Sequence, residues 1–183
     1  VVYFSSSTVY GEWPDASAVT EDSPCRPIHV YGSLKLAGEY AVRSICNAHG
    51  IEHVVIRPSA LYGPGCISGR VVQRFIEDAL EGKPLYVRKD ERLDFTHVDD
   101  LVEGVVLALF GPPDETYNLT FGEGRLVSEA AFLAAEAAGI DPNSQVVFRN
   151  EAGEFPRRGA LSIAKARRVL GYAHFVADTY GLV

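Results

Sequence analysis

Val30-Tyr31-Gly32-Ser33-Leu34-Lys35-Leu36-Ala37-Gly38-Glu39-Tyr40-Ala41-Val42-Arg43-Ser44-Ile45-Cys46-Asn47-Ala48-His49-Gly50-Ile51-Glu52-His53-Val54-Val55-Ile56-Arg57-Pro58 is the stretch whose reading decides the fold. Leu34, Ala37, Ala41, Ile45 and Ala48 recur at helical spacing, and His49-Gly50 supplies a stop, so residues 30–47 read as a helix. Residues 52–58 read as a buried strand, and Pro58, which has no N–H to give, ends its ladder. Upstream, residues 1–5 run through β-branched and aromatic residues without polar alternation, the mark of a strand buried on both faces. Strand, helix, strand in that order makes a parallel βαβ unit.

Working outward, a Ser/Thr cluster ends the first strand, and residues 11–27 form a long loop with Pro14, Pro24 and Pro27. After the turn Tyr62-Gly63-Pro64-Gly65, residues 71–80 suit a helix closed by Gly82-Lys83-Pro84. Residues 85–87, 95–98, 116–119 and 145–148 suit strands. Asp99 is the expected N-cap of a helix over residues 101–110, and Ser128 that of an alanine-rich helix over 129–138. A basic helix is expected over 162–170. The fold class is α/β, with a second region of shorter elements interleaved.

The 183 residues suffice for one ordinary domain with a real core, and 47% hydrophobic with 22% charged residues lies far from the composition of disordered chains. A net charge of −7 gives no basic footprint for nucleic acid or anionic membranes. Cys25, Cys46 and Cys66 fit neither a disulfide framework nor a zinc spacing, so a reducing cytoplasm is the expected home. There is no membrane-span pattern and no signal-peptide layout. Methionine is absent, even at position 1, and the chain opens directly into strand pattern, so it reads as a fragment whose natural N-terminus lies upstream.

Tyr31 and Lys35 stand at i and i+4, one turn apart on one helical face. A free phenol holds its proton at neutral pH, and a neighbouring ammonium or a cationic cofactor ring favours the phenolate, so the pair suits base chemistry. Just upstream, Ser5, Ser6, Ser7 and Thr8 place hydroxyls at the carboxyl end of a strand, where open parallel sheets hold ligands.

Four ordered motifs carry a resemblance across nearly the whole chain: Ser6-Ser7-Thr8-Val9-Tyr10-Gly11, the Tyr31/Lys35 pair, Arg57-Pro58-Ser59-Ala60-Leu61-Tyr62-Gly63-Pro64-Gly65, and Asp94-Phe95-Thr96-His97-Val98-Asp99-Asp100-Leu101. With them the chain resembles the extended short-chain dehydrogenase/reductases, specifically the NAD-dependent nucleotide-sugar epimerase/dehydratase family. The resemblance implies the C-terminal part of a Rossmann-like doubly wound parallel sheet with a smaller interleaved α/β substrate-binding region. Residues 1–65 and 94–120 would belong to the dinucleotide-binding domain, and 66–93 and 121–183 to the substrate region. It implies NAD or NADP as cofactor, a nucleotide sugar or related substrate, and a homodimer through the Tyr31 helix. Tyr31 matches the family's base, Lys35 the lysine on the nicotinamide ribose, and Ser6 the hydroxyl on the reacting oxygen, with Ser5 and Ser7 as alternatives. Pro58 and Ser59 match the nicotinamide pocket, together with Ser5 and Ser6, and Ser7, Thr8, Ala60 and Arg92 fall at substrate-facing positions.

Two departures touch the substrate. Ala60 stands where the family carries an Asn that contacts the diphosphate, and Leu93 where it carries an Arg, with Arg92 one residue early. These favour, as an alternative, an NADP-dependent ketone reductase of the same family. The Gly-rich pyrophosphate motif is missing, and Gly63-Pro64-Gly65-Cys66-Ile67-Ser68-Gly69 reads as a turn, so the 183 residues alone are expected to be inactive. A catalytically silent binding or regulatory paralogue is the alternative of another class. Tyr180-Gly181-Leu182-Val183 ends in mid-pattern, as in a chain shortened there too. His97 reads as a satisfied strand-end histidine and Asp99-Asp100 as helix-start acids, so no metal is expected. Arg157-Arg158 read with Lys165, Arg167 and Arg168 as a solvated basic face, and Asn118-Leu119-Thr120 as a sequon without a secretory context.

Overall fold

The computed structural model describes residues 1–13, 18–67, 69–149, 158–174 and 176. Its centre is the expected βαβ unit. Strand β1 (Val2–Phe4) leads through a 3-10 turn at Ser7–Tyr10 and a loop to helix α1 (Val30–His49), and thence to β2 (Val54–Arg57). Two of the three strands in this sheet are then in place, parallel, with Val2 opposite Val54 and Phe4 opposite Ile56. The chain continues through β3 (Ala60–Tyr62), α2 (Val71–Leu80), β4 (Leu85–Arg88), β5 (Arg92–Leu93), β6 (Phe95–His97) and α3 (Val98–Phe110). It ends in β7 (Glu115–Asn118), β8 (Arg125–Leu126), α4 (Val127–Ala137), the single turn α5 (Pro142–Gln145), β9 (Val146–Arg149) and α6 (Ala164–Leu170).

β7 joins the far side of β2, also parallel, giving the order β1-β2-β7. Strand alternation then assigns the two faces. Val2, Val54, Ile56 and Tyr117 point to one side and pack with Leu101 and Ala108 of α3 and Ala166 of α6. Tyr3, Arg57 and Thr116 point to the other and meet α1: the Tyr3 hydroxyl donates to the Lys35 carbonyl (3.3 Å), and Arg43 donates to Thr116 Oγ1 (2.8 Å). Helices thus cover both faces, the doubly wound arrangement that the sequence implies. Ile163, Ala166 and Tyr172, inside the stretch 121–183 assigned to the smaller region, sit in this first core.

The interleaved region is built on β4 and β9, paired in parallel and backed by α2 and α4 around Phe75, Leu85, Val87 and Val127. Ala79, Ala131 and Ala135 are fully buried there, and their small side chains let the two helices lie close. β3 and β6 form a parallel pair and β5 and β8 an antiparallel one; β6 falls within the expected strand at 95–98, whereas β3, β5 and β8, with two or three residues each, carry no periodicity a sequence reading can use.

Three expectations need correction, and the inward face of α1, which periodicity left open, is now fixed. The strand at residues 1–5 is not wholly buried: among the described residues β1 is an edge strand paired only with β2, and Phe4 is 45% exposed. The α1 stripe of Leu34, Ala37, Ala41, Ile45 and Ala48 faces solvent. The face turned to the protein runs instead through Gly32, Glu39 and Cys46, where bonded polar groups and glycines replace apolar bulk. A Cβ on Gly38 would come 2.0 Å from the Tyr3 hydroxyl, so this contact requires glycine. His97, not Asp99, caps α3, its Nδ1 accepting from the Asp99 N–H (3.3 Å). Ser128 lies inside α4, whose cap is Leu126, with its N–H bonded to the Glu129 carboxylate (3.2 Å). Asn118, the sequon residue, is fully buried, and Tyr180–Val183 falls outside the described residues.

Candidate active site

The carboxyl ends of β1 and β2 and the start of α1 converge on one cavity of about 400 Å³. Backbone bonds hold the two strand ends together beyond the ladder, from Ser5 N to Ile56 O and from Ser7 N to Pro58 O, both 2.8 Å. Ser5, Ser6, Ser7, Thr8, Tyr31, Pro58, Ser59 and Ala60, eight residues singled out from the sequence, all line this cavity.

The hydroxyls are not equivalent. Ser5 is buried and donates its Oγ proton to Glu39 Oε1 (2.5 Å). Ser6 caps the 3-10 turn, its Oγ accepting from Thr8 N (3.2 Å) and from Thr8 Oγ1 (2.9 Å). With its lone pairs engaged, Ser6 keeps its own proton for another acceptor. Tyr31 is 56% exposed at the cavity. Lys35 stands behind it: Nζ lies 5.7 Å from the Tyr31 ring centroid and donates to Phe4 O (2.8 Å). An ammonium has three donors, so this bond leaves others for a ligand.

Lys35 does not line the cavity, and Arg92 turns elsewhere, its Nη1 donating to Gly124 O (2.8 Å). Leu93 lines the cavity in its place, as strand alternation dictates. Two arginines join the wall that the sequence reading missed. Arg70 precedes α2, and Arg158, read above as part of a solvated basic face, is half-buried with Nε lacking a hydrogen-bond partner. Burial pushes its guanidinium below the usual value, with the charge of Glu91 as the opposing influence. No group of His, Cys, Asp and Glu that could hold a metal ion occurs among the described residues.

Behind the wall lies a buried polar network. Arg57 makes a bidentate pair with Glu39, Nε to Oε1 at 2.9 Å and Nη2 to Oε2 at 2.7 Å. Arg57 Nη1 donates to the Tyr10 hydroxyl (2.8 Å), which donates to Asn118 Oδ1 (2.7 Å). Burial alone pushes the Glu39 carboxyl up, but the bonds from Arg57 and Ser5 and the charges of Arg57 and Arg43 hold it below the usual carboxylate value. Burial pushes the Tyr10 phenol up to about 12, with Arg57 opposing. Neither Glu39 nor Arg57 was singled out, because a charged residue in a helix or at a strand end reads as solvated.

Residues 1–120 match the family profile of the NAD dependent epimerase/dehydratase family. The chain belongs to this family. Family membership sets the four motifs in one frame: all four supply residues that line the cavity, the fourth through Phe95. A dTDP-glucose 4,6-dehydratase of Streptomyces griseus is 32% identical over 184 residues, covering 99% of this chain and 56% of the relative. An uncharacterized UDP-glucose epimerase of Bacillus subtilis is 30% identical over 93% of the chain and 54% of its own length. Among solved structures, the UDP-glucose 4-epimerase of Thermus thermophilus in complex with NAD superposes with a TM-score of 0.83 at 28% identity, over 95% of this chain and 58% of that one. A dTDP-glucose 4,6-dehydratase of Streptomyces venezuelae with NAD bound gives 0.88 at 27% identity, over 99% and 56%. The chain therefore spans about half the length of the curated relatives it matches. These neighbours are Rossmann-fold, NAD-binding enzymes. No described helix is long and apolar enough to cross a membrane.

Proposed function

We propose that this chain carries the proton-handling half of an NAD-dependent enzyme acting at a hydroxyl-bearing carbon of a nucleotide sugar. The observation that carries the reading is the shared cavity of Ser6 and Tyr31, with Lys35 beside the phenol and Arg70 and Arg158 on the same wall. The described residues fit the nicotinamide end of NAD: Pro58 and Ser59 line the same cavity as Tyr31, and Lys35 retains ammonium donors suited to ribose hydroxyls. When bound, the nicotinamide supplies the acceptor for hydride from the carbinol carbon, and its return to the other face would complete an epimerisation. Tyr31 takes the hydroxyl proton, Ser6 donates to the same oxygen, and Lys35 holds its ammonium 5.7 Å from the Tyr31 ring centroid. Arg158, with an unpaired buried Nε, supports an anionic substrate, and Arg70 adds a second positive charge.

Tyr31→Phe tests the mechanism. Turnover of UDP-glucose or dTDP-glucose by the protein loaded with NAD, followed by chromatography of the sugar nucleotides formed, should fall by about 10²- to 10⁴-fold, the usual worth of a positioned base. Its thermal unfolding should stay unchanged, since Tyr31 is largely exposed. Unaltered turnover would end this reading.

A second reading, reduction of a smaller ketone, is favoured by Ala60, Leu61, Leu93 and Phe95, which give the cavity an apolar wall. Arg158→Ala separates the two: KM for a nucleotide sugar should rise at least tenfold, whereas turnover of an uncharged ketone should not change. The solvent-facing stripe of Leu34, Ala37, Ala41, Ile45 and Ala48 supports the homodimer, because a second copy of α1 laid against it would cover apolar surface.

A further inference from the structure

Three chain segments reach the cavity from different elements, and a single carboxylate holds all three. Glu39 stands one turn beyond Lys35 and two beyond Tyr31 on the same face of α1, and is fully buried. Its Oε1 accepts from Ser5 Oγ (2.5 Å) and Arg57 Nε (2.9 Å), and its Oε2 from Arg57 Nη2 (2.7 Å) and Arg43 Nη2 (3.2 Å). Two of the three partners reach the wall: Ser5 lines it, and Arg57 precedes Pro58. Glu39 and Arg57 do not themselves line the cavity, so any effect they have on chemistry passes through their neighbours.

A buried ion pair is often no better for stability than apolar side chains of the same size, because desolvating two charges offsets much of their attraction. What a bidentate pair adds is direction. Two parallel N–H···O bonds fix both the separation and the rotation of the groups they join, which apolar packing leaves looser. We infer that Glu39 and Arg57 are positioning residues for the reaction centre, their ion pair setting the placement of the Ser6 hydroxyl against the Tyr31 phenol. The inference rests on the proposed roles of Ser6 and Tyr31. It makes the pair a determinant of turnover rather than of substrate affinity.

Two variants of the NAD-loaded protein test it. Glu39→Gln keeps the shape and removes the charge, while Arg57→Lys keeps the charge and loses the two parallel bonds. A misplacement of about 1 Å costs up to ~10²-fold in rate. In Glu39→Gln, kcat for the nucleotide sugar should accordingly fall about 10- to 100-fold with KM and NAD affinity unchanged. Arg57→Lys should show a smaller loss with the same split, and it decides the matter alone if Glu39→Gln fails to fold. Amide exchange over residues 5–9 and 58–61 should quicken in both variants, while residues 85–88 and 146–149, in the other unit, should not change. Unchanged kcat in the folded variants overturns the inference, as does a loss shared equally between kcat and KM with faster exchange throughout, which marks a purely structural role. A Tyr31→Phe control separates this from failure of the underlying reading. If that variant is inactive while Glu39→Gln and Arg57→Lys turn over normally, only the positioning role fails; if it is fully active, the assignment of the site fails.

Discussion

Asp94 gives the chain a pH dependence of definite sign. It lies 1% exposed between β5 and β6 and accepts from Phe121 N (3.0 Å), from Gly122 N (3.2 and 3.1 Å to its two oxygens) and from Leu161 N (3.1 Å). Burial pushes its carboxyl up to about 7, against the opposing bonds from Leu161, Thr120, Gly122 and Phe121. In the unfolded chain the same group titrates near its ordinary ~3.9. Between about pH 4 and pH 7 the folded protein therefore holds a proton that the unfolded chain has lost, and stability falls as pH rises through that window. A displacement of roughly three pH units, at about 1.4 kcal/mol each, amounts to about 4 kcal/mol. Asp94→Asn preserves the shape and cannot titrate. Urea unfolding can be followed through Trp13, the sole tryptophan, at steps from pH 4 to pH 8. The stability of the native protein relative to the Asn variant should decline by on the order of 4 kcal/mol over that range. Parallel curves for the two proteins would refute the reasoning, because they would mean that Asp94 ionises alike in both states.

A Cβ on Gly32 would come 2.6 Å from the Thr8 carbonyl oxygen, a backbone atom no rotamer can move. Gly32→Ala should therefore push the start of α1 off the Ser6–Thr8 turn, costing about 1–3 kcal/mol and lowering the melting temperature. Tyr10→Phe removes the hydroxyl shared by Arg57 and Asn118, leaving Asn118 Oδ1 without this donor; urea unfolding should show a loss of about 1–3 kcal/mol. Ile45→Glu, on the exposed stripe of α1, should leave the melting temperature of a monomer unchanged but shift the mass in sedimentation from two copies to one.

The longest elements were the most legible. α1, α2 and β2 announce themselves because their patterns last several turns or, in β2, run through three consecutive β-branched residues, and the hydroxyl cluster, Tyr31 and Pro58-Ser59 meet where the strand ends place them. Periodicity identified α1 without saying which side faces the protein: the inward side holds Gly32 and Glu39, chosen for close approach and for bonding, which a hydrophobicity pattern scores as polar. Glu39 with Arg57, and Arg158 in the cavity wall, were illegible for a related reason. A charge in sequence reads as solvated, and only its three-dimensional partners, or the lack of one at Arg158 Nε, reveal otherwise. β3, β5 and β8 were missed because two or three residues carry no period, and their existence depends on partners more than thirty positions away.

The parallel sheet has a kinetic consequence. Its ladder joins Val2 to Val54 and Val54 to Glu115, so both pairings close long stretches of chain before any interstrand bond rewards the loss of freedom. α1 is local and can form early, carrying Tyr31 and Lys35 with it. The Ser6 wall, by contrast, has no fixed place relative to that helix until β1 and β2 have met. Assembly of the cavity is thus tied to the slow, non-local steps of folding, and a chain arrested before them would own its helices while lacking the pocket.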